Sequence, residues 1–210
     1  MISLVVVGAG GFGRETLDVI EAVNAIRPTY DIVGVVDDAP GTVALQRLKA
    51  RGIRHIGTVD DWLSSGTGDR YVIAIGAPAA RHAVANRISG IAPADPLLHP
   101  ASSIGSQFTC GAGSVICAHA TISTNVTVGA HVHLNPAATL GHDVTLADCV
   151  SINPGAVISG EVHIDRMALV GAGAVVLQGH SIGEAATVGA AACVVRDVPP
   201  GATVKGIPAA

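Results

Sequence analysis

The sequence has few aromatic residues, no cluster of charge and no long hydrophobic run. Phe, Tyr and Trp make up 2% of its 210 residues, so Val, Ile, Leu and Ala must fill the core in place of large rings. Twelve Lys and Arg face 16 Asp and Glu, a net charge of −4 without a basic cluster. This balance argues against nucleic acids and anionic membranes as partners. The apolar run at residues 2–7 is too short for a membrane span or a secretory signal, so a cytoplasmic protein is expected.

The sequence also lacks a cysteine or histidine spacing that is typical of a metal site. It contains no CxxC pair, and we expect all four cysteines to be free thiols. His131 and His133 form an HxH pair, but no third ligand is evident, and no metal is expected. His119, His163 and His180 are interpreted as surface residues.

The chain divides into two regions with different sequence patterns. Residues 1–92 alternate short apolar runs with helical patterns, which predicts parallel strands and a small Rossmann-like α/β domain. The proline-rich residues 93–103 are interpreted as a linker. A complete dinucleotide-binding domain contains two βαβαβ halves, whereas residues 1–92 hold about one. A single nucleotide therefore fits this region better than a dinucleotide.

A six-residue repeat begins at Ile104 and continues to Val194. Fifteen of the 16 positions in steps of six are aliphatic, and the residue two before each is usually small or β-branched, as expected when both face inward along a short strand. Gly or Asn often follows the aliphatic residue and is interpreted as the bend between strands. Three such sides close into a triangular coil, which predicts a parallel β-helix with a C-terminal tail over residues 104–210.

The stretch VVVGAGGFGRETLDVI, residues 5–20, fits the GxGxxG pattern of a phosphate-binding turn between a strand and a helix. Such a turn places backbone amides and a helix N-terminus at a diphosphate. Asp37 and Asp38 end the second strand, where their carboxylates can accept hydrogen bonds from a ribose or a base. These features suit a nucleotide sugar and NAD equally, so they do not choose between a transferase and an oxidoreductase.

Three further segments carry a resemblance to a known family: LLHPAS at residues 97–102, GHDVTLADCVSINPGAVISGEVHI at 141–164 and AVVLQGHSIGEAATVGAAACVVRDVPPGATVKGIPA at 174–209. With GAGGFG and the later Asp-Asp pair, they make the chain resemble the bacterial sugar acetyltransferases of the PglD/NeuD type. The resemblance implies a left-handed β-helix and a homotrimer with active sites between neighbouring prisms. It also implies acetyl-CoA as the co-substrate and a nucleotide sugar as the acceptor.

The same resemblance implies roles for individual residues. His142 matches the general base of the family's GHD motif, and Asp143 matches the acidic residue that supports it. The residues that match substrate contacts are Gly10, Gly11, Phe12, Asp37, Asp38, Gly76 and Asn135. The residues that match acetyl-CoA contacts are Ser151, Gly160, Gly171, Ala172 and Ala190. The chain departs from the family at Ser151, where several relatives carry a second histidine, and at Gly10 and Phe12, where relatives often carry histidine or serine.

The expected reaction is N-acetylation of a UDP-linked 4-amino-4,6-dideoxy sugar by direct transfer from acetyl-CoA. O-acetylation of a sialic acid or a similar sugar hydroxyl is the close alternative. Two other classes stay open: an NAD-binding oxidoreductase with a trimerising tail, and a non-enzymatic trimeric scaffold. The oxidoreductase would need a second half-domain and catalytic residues of its own.

Overall fold

The computed structural model describes residues 1–210 as an α/β domain followed by a three-sided solenoid of short strands. The α/β domain contains four parallel strands in the order β2-β1-β3-β4. Its elements are β1 Ile2–Val7, α1 Gly11–Ile26, β2 Tyr30–Val36, α2 Thr42–Ala50, α3 Val59–Ser65, β3 Arg70–Ile73, α4 Pro78–Arg87 and β4 Ala92–Pro93. No helix is long and apolar enough to cross a membrane.

The first strand turns into the first helix through two glycines that lie against each other. Gly8 has a φ of +117°, a conformation that residues with side chains rarely adopt. A Cβ on Gly13 would overlap the carbonyl oxygen of Gly8, so this turn requires glycine at both positions. Helix α1 begins without a side-chain cap and without an acidic residue in its first turn. Backbone amides are therefore free at its N-terminus, as the GxGxxG pattern predicts.

The second region is a prism whose three faces are parallel sheets of two-residue strands, which confirms the predicted three-sided coil. Each strand pairs with the next coil, as His133 does with Ser151. Face 1 contains β5 Leu97–Leu98, β8 Val115–Ile116, β11 His133–Leu134, β14 Ser151–Ile152, β17 Leu169–Val170, β20 Thr187–Val188 and β22 Thr203–Val204. Face 2 contains β6 Ser103–Ile104, β9 Thr121–Ile122, β12 Thr139–Leu140, β15 Val157–Ile158, β18 Val175–Val176 and β21 Cys193–Val194. Face 3 contains β7 Thr109–Cys110, β10 Thr127–Val128, β13 Thr145–Leu146, β16 His163–Ile164 and β19 Ser181–Ile182.

The prism core is built from the two inward positions that the repeat predicts. Every aliphatic residue at six-residue steps from Ile116 to Val194 is at most 3% exposed. The small residues two positions earlier, such as Ala156, are buried as well. The exceptions are the exposed Ile104 and the half-buried Cys110, because their strands are the first of faces 2 and 3 and no earlier strand covers them.

The prism corners differ from the interpretation given by the sequence. The left-handed backbone conformation occurs three residues after the inward aliphatic, for example at Asp143 with a φ of +61°, and not at the glycine directly after it. A Cβ on Gly141 would lie 2.6 Å from the backbone nitrogen of Gly160 in the next coil. A Cβ on Gly171 would lie 2.5 Å from the backbone nitrogen of Ala190. These glycines therefore permit close stacking of the coils and do not form the bends.

The prism also begins earlier than expected, inside the segment interpreted as a linker. Strand β5 at Leu97 already belongs to face 1, and β6 begins at Ser103. Ala94 and Leu97 are buried in the core of the α/β domain together with Val115 of the prism. The expected linker at residues 93–103 is therefore corrected: the segment is folded, and one hydrophobic cluster of the α/β domain includes residues of the first prism coils.

Candidate active site

His142 lies on the corner between faces 2 and 3, two residues after the inward Leu140. Its side chain is 46% exposed, and its Nδ1 lies 2.7 Å from Oδ2 of Asp143. The side-chain amide of Asn125, in the preceding coil, donates to the other oxygen of Asp143 at 3.1 Å. The imidazole is thus oriented by a carboxylate that a neighbouring coil holds in place.

This hydrogen-bond pattern fixes which nitrogen of His142 carries the proton. Hydrogen bonds from His142 and from Asn125 hold the pKa of Asp143 below its usual range, so the carboxylate is ionised and can only accept. Nδ1 of the neutral imidazole must therefore donate, and Nε2 keeps a free lone pair. A general base requires this arrangement.

Gly160 lies against the His142 ring, in the next coil of the same corner. A Cβ on Gly160 would be 2.5 Å from both Cε1 and Nε2 of the imidazole. A side chain at this position would displace the ring, so the observed position of His142 depends on glycine here. The resemblance implies a donor contact for Gly160, and the structure adds a packing role next to the candidate base.

Glu161 adds a second carboxylate near the imidazole, and the sequence reasoning missed it. The side chains of His142, Asp143 and Glu161 have ligand atoms within 4.8 Å of one another. This spacing suits a divalent cation, for which Nε2 of His142 would be the free ring nitrogen, because Nδ1 is bonded to Asp143. The signal available in the sequence was the coil period, because Asn125, Asp143 and Glu161 follow one another at one-coil spacing.

The expected acetyl-CoA residues lie on two different corners of the prism. Ala172 and Ala190 are exposed in successive coils on the corner between faces 1 and 2, whereas Gly160 lies on the corner between faces 2 and 3. The backbone amides of these three residues have no hydrogen-bond partner within the chain. Pro136 and Pro154 occupy the same corner position in the two coils before Ala172. After two prolines, the corner therefore offers free amide donors at Ala172 and Ala190.

Within one chain, face 2 separates these exposed amides from His142. Gly171 does not belong to either set, since it is buried and its amide donates to the carbonyl of Val188 at 2.8 Å. Its expected donor contact is corrected to a role in coil packing.

The expected nucleotide residues meet at the carboxyl ends of β1, β2 and β3. Gly10, Gly11 and Gly76 are exposed in this region, and a Cβ on any of them would meet no neighbouring atom. A cavity of about 190 Å³ lies at the same edge of the sheet, lined by Val7, Gly8, Asp37, Asp38, Ala39, Val59, Ile75 and Val84. Ligands of open parallel sheets bind at this edge.

The two aspartates of this cavity also hold its loops. Asp37 accepts hydrogen bonds from the backbone amides of Ala9 at 2.8 Å and Ala39 at 2.9 Å. Asp38 accepts from the amide of Val59 at 2.8 Å and forms an ion pair with Arg87. These two contacts, the amide of Val59 first, lower the pKa of Asp38. Both carboxylates therefore shape the cavity, in addition to any contact with a ligand.

Phe12 and Asn135 direct their side chains into the protein. The Phe12 ring is partly buried and stacks on the ring of His133, with centroids 4.2 Å apart. Asn135 is buried and donates to the carbonyl of Ile152 at 3.0 Å. The expected substrate contact of the Asn135 side chain stays a prediction: its amide nitrogen is used between coils, whereas its oxygen has no hydrogen-bond partner within the chain.

Ser151 also lies inside the protein, between the two domains. It is 1% exposed, accepts a hydrogen bond from Arg81 at 2.8 Å and donates to the carbonyl of Gly76 at 3.1 Å. Its expected contact with acetyl-CoA is therefore corrected to a contact between domains. Arg81 itself was not singled out from the sequence, because its helix carries no local pattern that marks it.

His133 is part of the same domain contact. Its Nε2 donates to the carbonyl of Ile73 at 2.9 Å, and its Nδ1 accepts from Arg81 at 3.0 Å. Burial, followed by the charge of Arg81, lowers its pKa well below the usual range. Both ring nitrogens are used within the protein, so His133 has no lone pair for a metal.

The four cysteines are free, as predicted. Burial raises the pKa of Cys110 to about 11 and that of Cys117 to about 12. Thiolate formation is therefore suppressed at neutral pH, and neither residue is suited to nucleophilic chemistry.

Comparison with known proteins gives matches to both regions. Residues 3–88 match the family model described as the PglD N-terminal domain. The whole fold is similar to the acetyltransferase domain of PglB from Neisseria gonorrhoeae FA1090 in complex with acetyl coenzyme A. The identity is 31% and the TM-score 0.83, over 99% of this chain and 98% of that chain. A comparison with curated protein sequences gave no match.

Two other solved structures show the same similarity over their full length. PerB from Caulobacter crescentus, in complex with CoA and GDP-perosamine, is 26% identical with a TM-score of 0.84, over 99% of this chain and 96% of that chain. WeeI from Acinetobacter baumannii AYE is 26% identical with a TM-score of 0.82, over 100% of this chain and 99% of that chain. With its α/β domain, its left-handed β-helix and these relatives, the chain belongs to the hexapeptide-repeat sugar N-acetyltransferases of the PglD type and is an acetyltransferase.

Proposed function

We propose that this acetyltransferase transfers the acetyl group of acetyl-CoA to the amine of a nucleotide-linked amino sugar. The α/β domain holds the nucleotide, and His142 is the general base. The observation that carries the proposal is the imidazole itself: it lies on an exposed corner, Asp143 orients it, and its Nε2 is free. The relatives support the two substrates, since the PglB domain was solved with acetyl coenzyme A and PerB with CoA and GDP-perosamine.

In the proposed reaction the neutral amine of the sugar attacks the carbonyl carbon of the thioester. A C–N bond forms, and the C–S bond breaks when the tetrahedral intermediate collapses. Nε2 of His142 takes the proton that the amine loses and passes it to the leaving thiolate, so CoA departs as a thiol. Asp143 stabilises the imidazolium between the two proton transfers.

Acetyl-CoA binding is proposed to require a second copy of the chain. The exposed amides of Ala172 and Ala190 lie on a different corner from His142. In an oligomer, these amides of one prism can lie next to His142 of a neighbouring prism. Val157, Leu177 and Val195 are large apolar residues that are exposed on face 2 and just after it, which supports burial of this face against another prism. We propose a homotrimer, as the resemblance implies.

The nucleotide is proposed to be bound by the exposed glycines at residues 10, 11 and 76 and by the cavity beside Asp37 and Asp38. A UDP-linked 4-amino-4,6-dideoxy sugar is the proposed acceptor, and the GDP sugar of PerB defines the nearest alternative. The free amides at the N-terminus of α1 favour a diphosphate in either case.

The test is release of free thiol from acetyl-CoA in the presence of separate acceptors: a UDP-linked 4-amino-4,6-dideoxy sugar, GDP-perosamine and free sialic acid. Thiol release with an amino sugar, together with an acetamide product in mass spectrometry, is the expected result. Turnover of sialic acid alone would replace N-transfer by O-transfer. No release with any of the three acceptors would overturn the proposed acceptor.

A further inference from the structure

Arg81, on helix α4, is wholly buried and has no carboxylate partner. Burial lowers its pKa to about 10, which still leaves the guanidinium protonated at neutral pH. A buried charge is stable only when hydrogen bonds replace its hydration. Arg81 therefore depends on the acceptors around it, and these acceptors come from both domains.

On the prism, Arg81 contacts the corner between faces 3 and 1 and the outer surface of face 1. Its Nε donates to the carbonyl of His131 at 2.8 Å, and its Nη2 donates to the carbonyl of Cys149 and the hydroxyl of Ser151, each at 2.8 Å. Its Nη1 donates to Nδ1 of His133 at 3.0 Å. The planar guanidinium thus spans two successive coils, which the single ammonium of lysine cannot do.

In the α/β domain, the same guanidinium holds the loop that follows β3. Nη1 donates to the carbonyls of Ile75 at 2.6 Å and Gly76 at 3.2 Å. Ser151 donates to the carbonyl of Gly76 as well, at 3.1 Å. Two side chains therefore hold the 75–76 loop against the prism, and this loop borders the cavity at the carboxyl edge of the sheet.

The loop before α1 rests on the same network through Phe12. The Phe12 ring stacks on His133, and His133 is bonded to Arg81 on one side and to the carbonyl of Ile73 on the other. Both loops that carry exposed glycines at the candidate nucleotide site are thus held by groups that meet at Arg81. The prism surface supplies this support in a domain that has only one βαβαβ half.

We propose that Arg81 is a positioning residue for the nucleotide sugar: it holds the 75–76 loop in the conformation that receives the nucleotide. The inference rests on the proposed function of the α/β domain. It concerns the acceptor only, since neither Arg81 nor Ser151 is exposed to the surface where acetyl-CoA would bind.

The test compares Arg81→Lys and Ser151→Ala with the wild type in the full-length protein. Steady-state kinetics with acetyl-CoA and the amino sugar accepted by the wild type should show that Arg81→Lys raises the KM for the nucleotide sugar about tenfold, as expected for the loss of one or two hydrogen bonds. The KM for acetyl-CoA should stay unchanged. Ser151→Ala should show the same pattern at about threefold, since it removes the hydrogen bond to Gly76 and one of several acceptors of Arg81.

The matched control is Arg70→Lys, because Arg70 is exposed and bonds only to the carbonyl of Asp69. It should change neither KM. A purely structural role of Arg81 would lower the folded fraction, and thus kcat, without separating the two KM values. An unchanged KM for the nucleotide sugar in folded Arg81→Lys overturns the proposal. If Arg81→Lys does not fold, an unchanged KM for the nucleotide sugar in Ser151→Ala overturns the proposal.

Calorimetric titration with UDP and with GDP separates this proposal from the proposed reaction. If the wild type binds one nucleotide but acetylates no sugar, the proposed function fails, and weaker binding by Arg81→Lys still supports the positioning role. Equal binding by wild type and Arg81→Lys overturns the positioning role while leaving any observed turnover intact. A wild type that binds neither nucleotide overturns both.

Discussion

Two histidines of the prism, His133 in a strand of face 1 and His142 on the corner between faces 2 and 3, have opposite environments. His142 is exposed on a corner and uses one nitrogen for Asp143. His133 is buried on face 1 and uses both nitrogens within the protein. The comparison shows that outward positions of one solenoid differ according to what covers them. Where the α/β domain packs on face 1, His133 makes only structural contacts. On the open corner, His142 keeps one ring nitrogen free.

The sharpest test of this contrast is His142→Ala. Loss of the proposed general base should lower kcat by about 1,000-fold, with unchanged oligomeric state in light scattering. His163→Ala is the control, because His163 is also exposed on the prism and paired with an aspartate, Asp165, at 2.9 Å. Comparable losses in both variants, or full activity of His142→Ala, would contradict the assignment of the base.

The second test moves the His142 ring without removing it. Gly160→Ala should lower kcat by about 100-fold, because the new Cβ displaces the imidazole from its position and small displacements of catalytic groups are costly. The exposed ring can rotate away, so the melting temperature should change little. Gly41→Ala, where a Cβ meets open space, is the control for an added methyl group. Normal turnover by Gly160→Ala would show that the observed ring position is not the reactive one.

The third and smallest effect concerns the pH dependence of stability and involves His133. Its pKa is lowered in the folded protein, so below the unfolded pKa of about 6.5 the unfolded chain binds a proton that the folded chain excludes. Stability should therefore be fully present above that pH and fall as the pH drops, by up to about 1.4 kcal/mol per pH unit. His131, whose pKa burial also lowers, contributes in the same direction.

Urea unfolding between pH 7.5 and 5 measures this pH dependence of the free energy of unfolding. The His133→Gln variant should be less stable overall but should show a shallower slope. The lowered pKa values of exposed aspartates such as Asp143 act only near or below about pH 4, outside this window. An identical slope in the wild type and His133→Gln would mean that His133 is not held neutral by the domain contact.

The prism was predictable because its core follows one local period. Each coil repeats the same inward positions, so residues as distant as Ile116 and Val194 obey one rule, and the three faces follow from it. The glycine turn at Gly8 and Gly13 was predictable for a similar reason, because a strand, a tight turn and a helix are adjacent in the chain. His142 was identified only through the family motif, since the repeat places many residues on equivalent corners.

The domain contact could not be predicted from local pattern. Arg81 and Ser151 are 70 residues apart, and nothing in either segment indicates that a buried guanidinium will meet that hydroxyl. The burial of Ser151 has the same origin: the sequence shows that a position faces outward, but not that another part of the molecule covers it. The folded segment at residues 93–103 was missed because its prolines are compatible with two-residue strands.

The shared core at Ala94, Leu97 and Val115 has a consequence for how the molecule can move. An α/β domain connected to a solenoid by a flexible linker could rotate relative to it. Here the connecting segment is itself buried in a hydrophobic cluster. The two domains are therefore joined by packed side chains as well as by the chain itself. If the α/β domain binds the nucleotide sugar as proposed, the length of that sugar, and not a swing of the domain, has to span the distance to the acetyl donor.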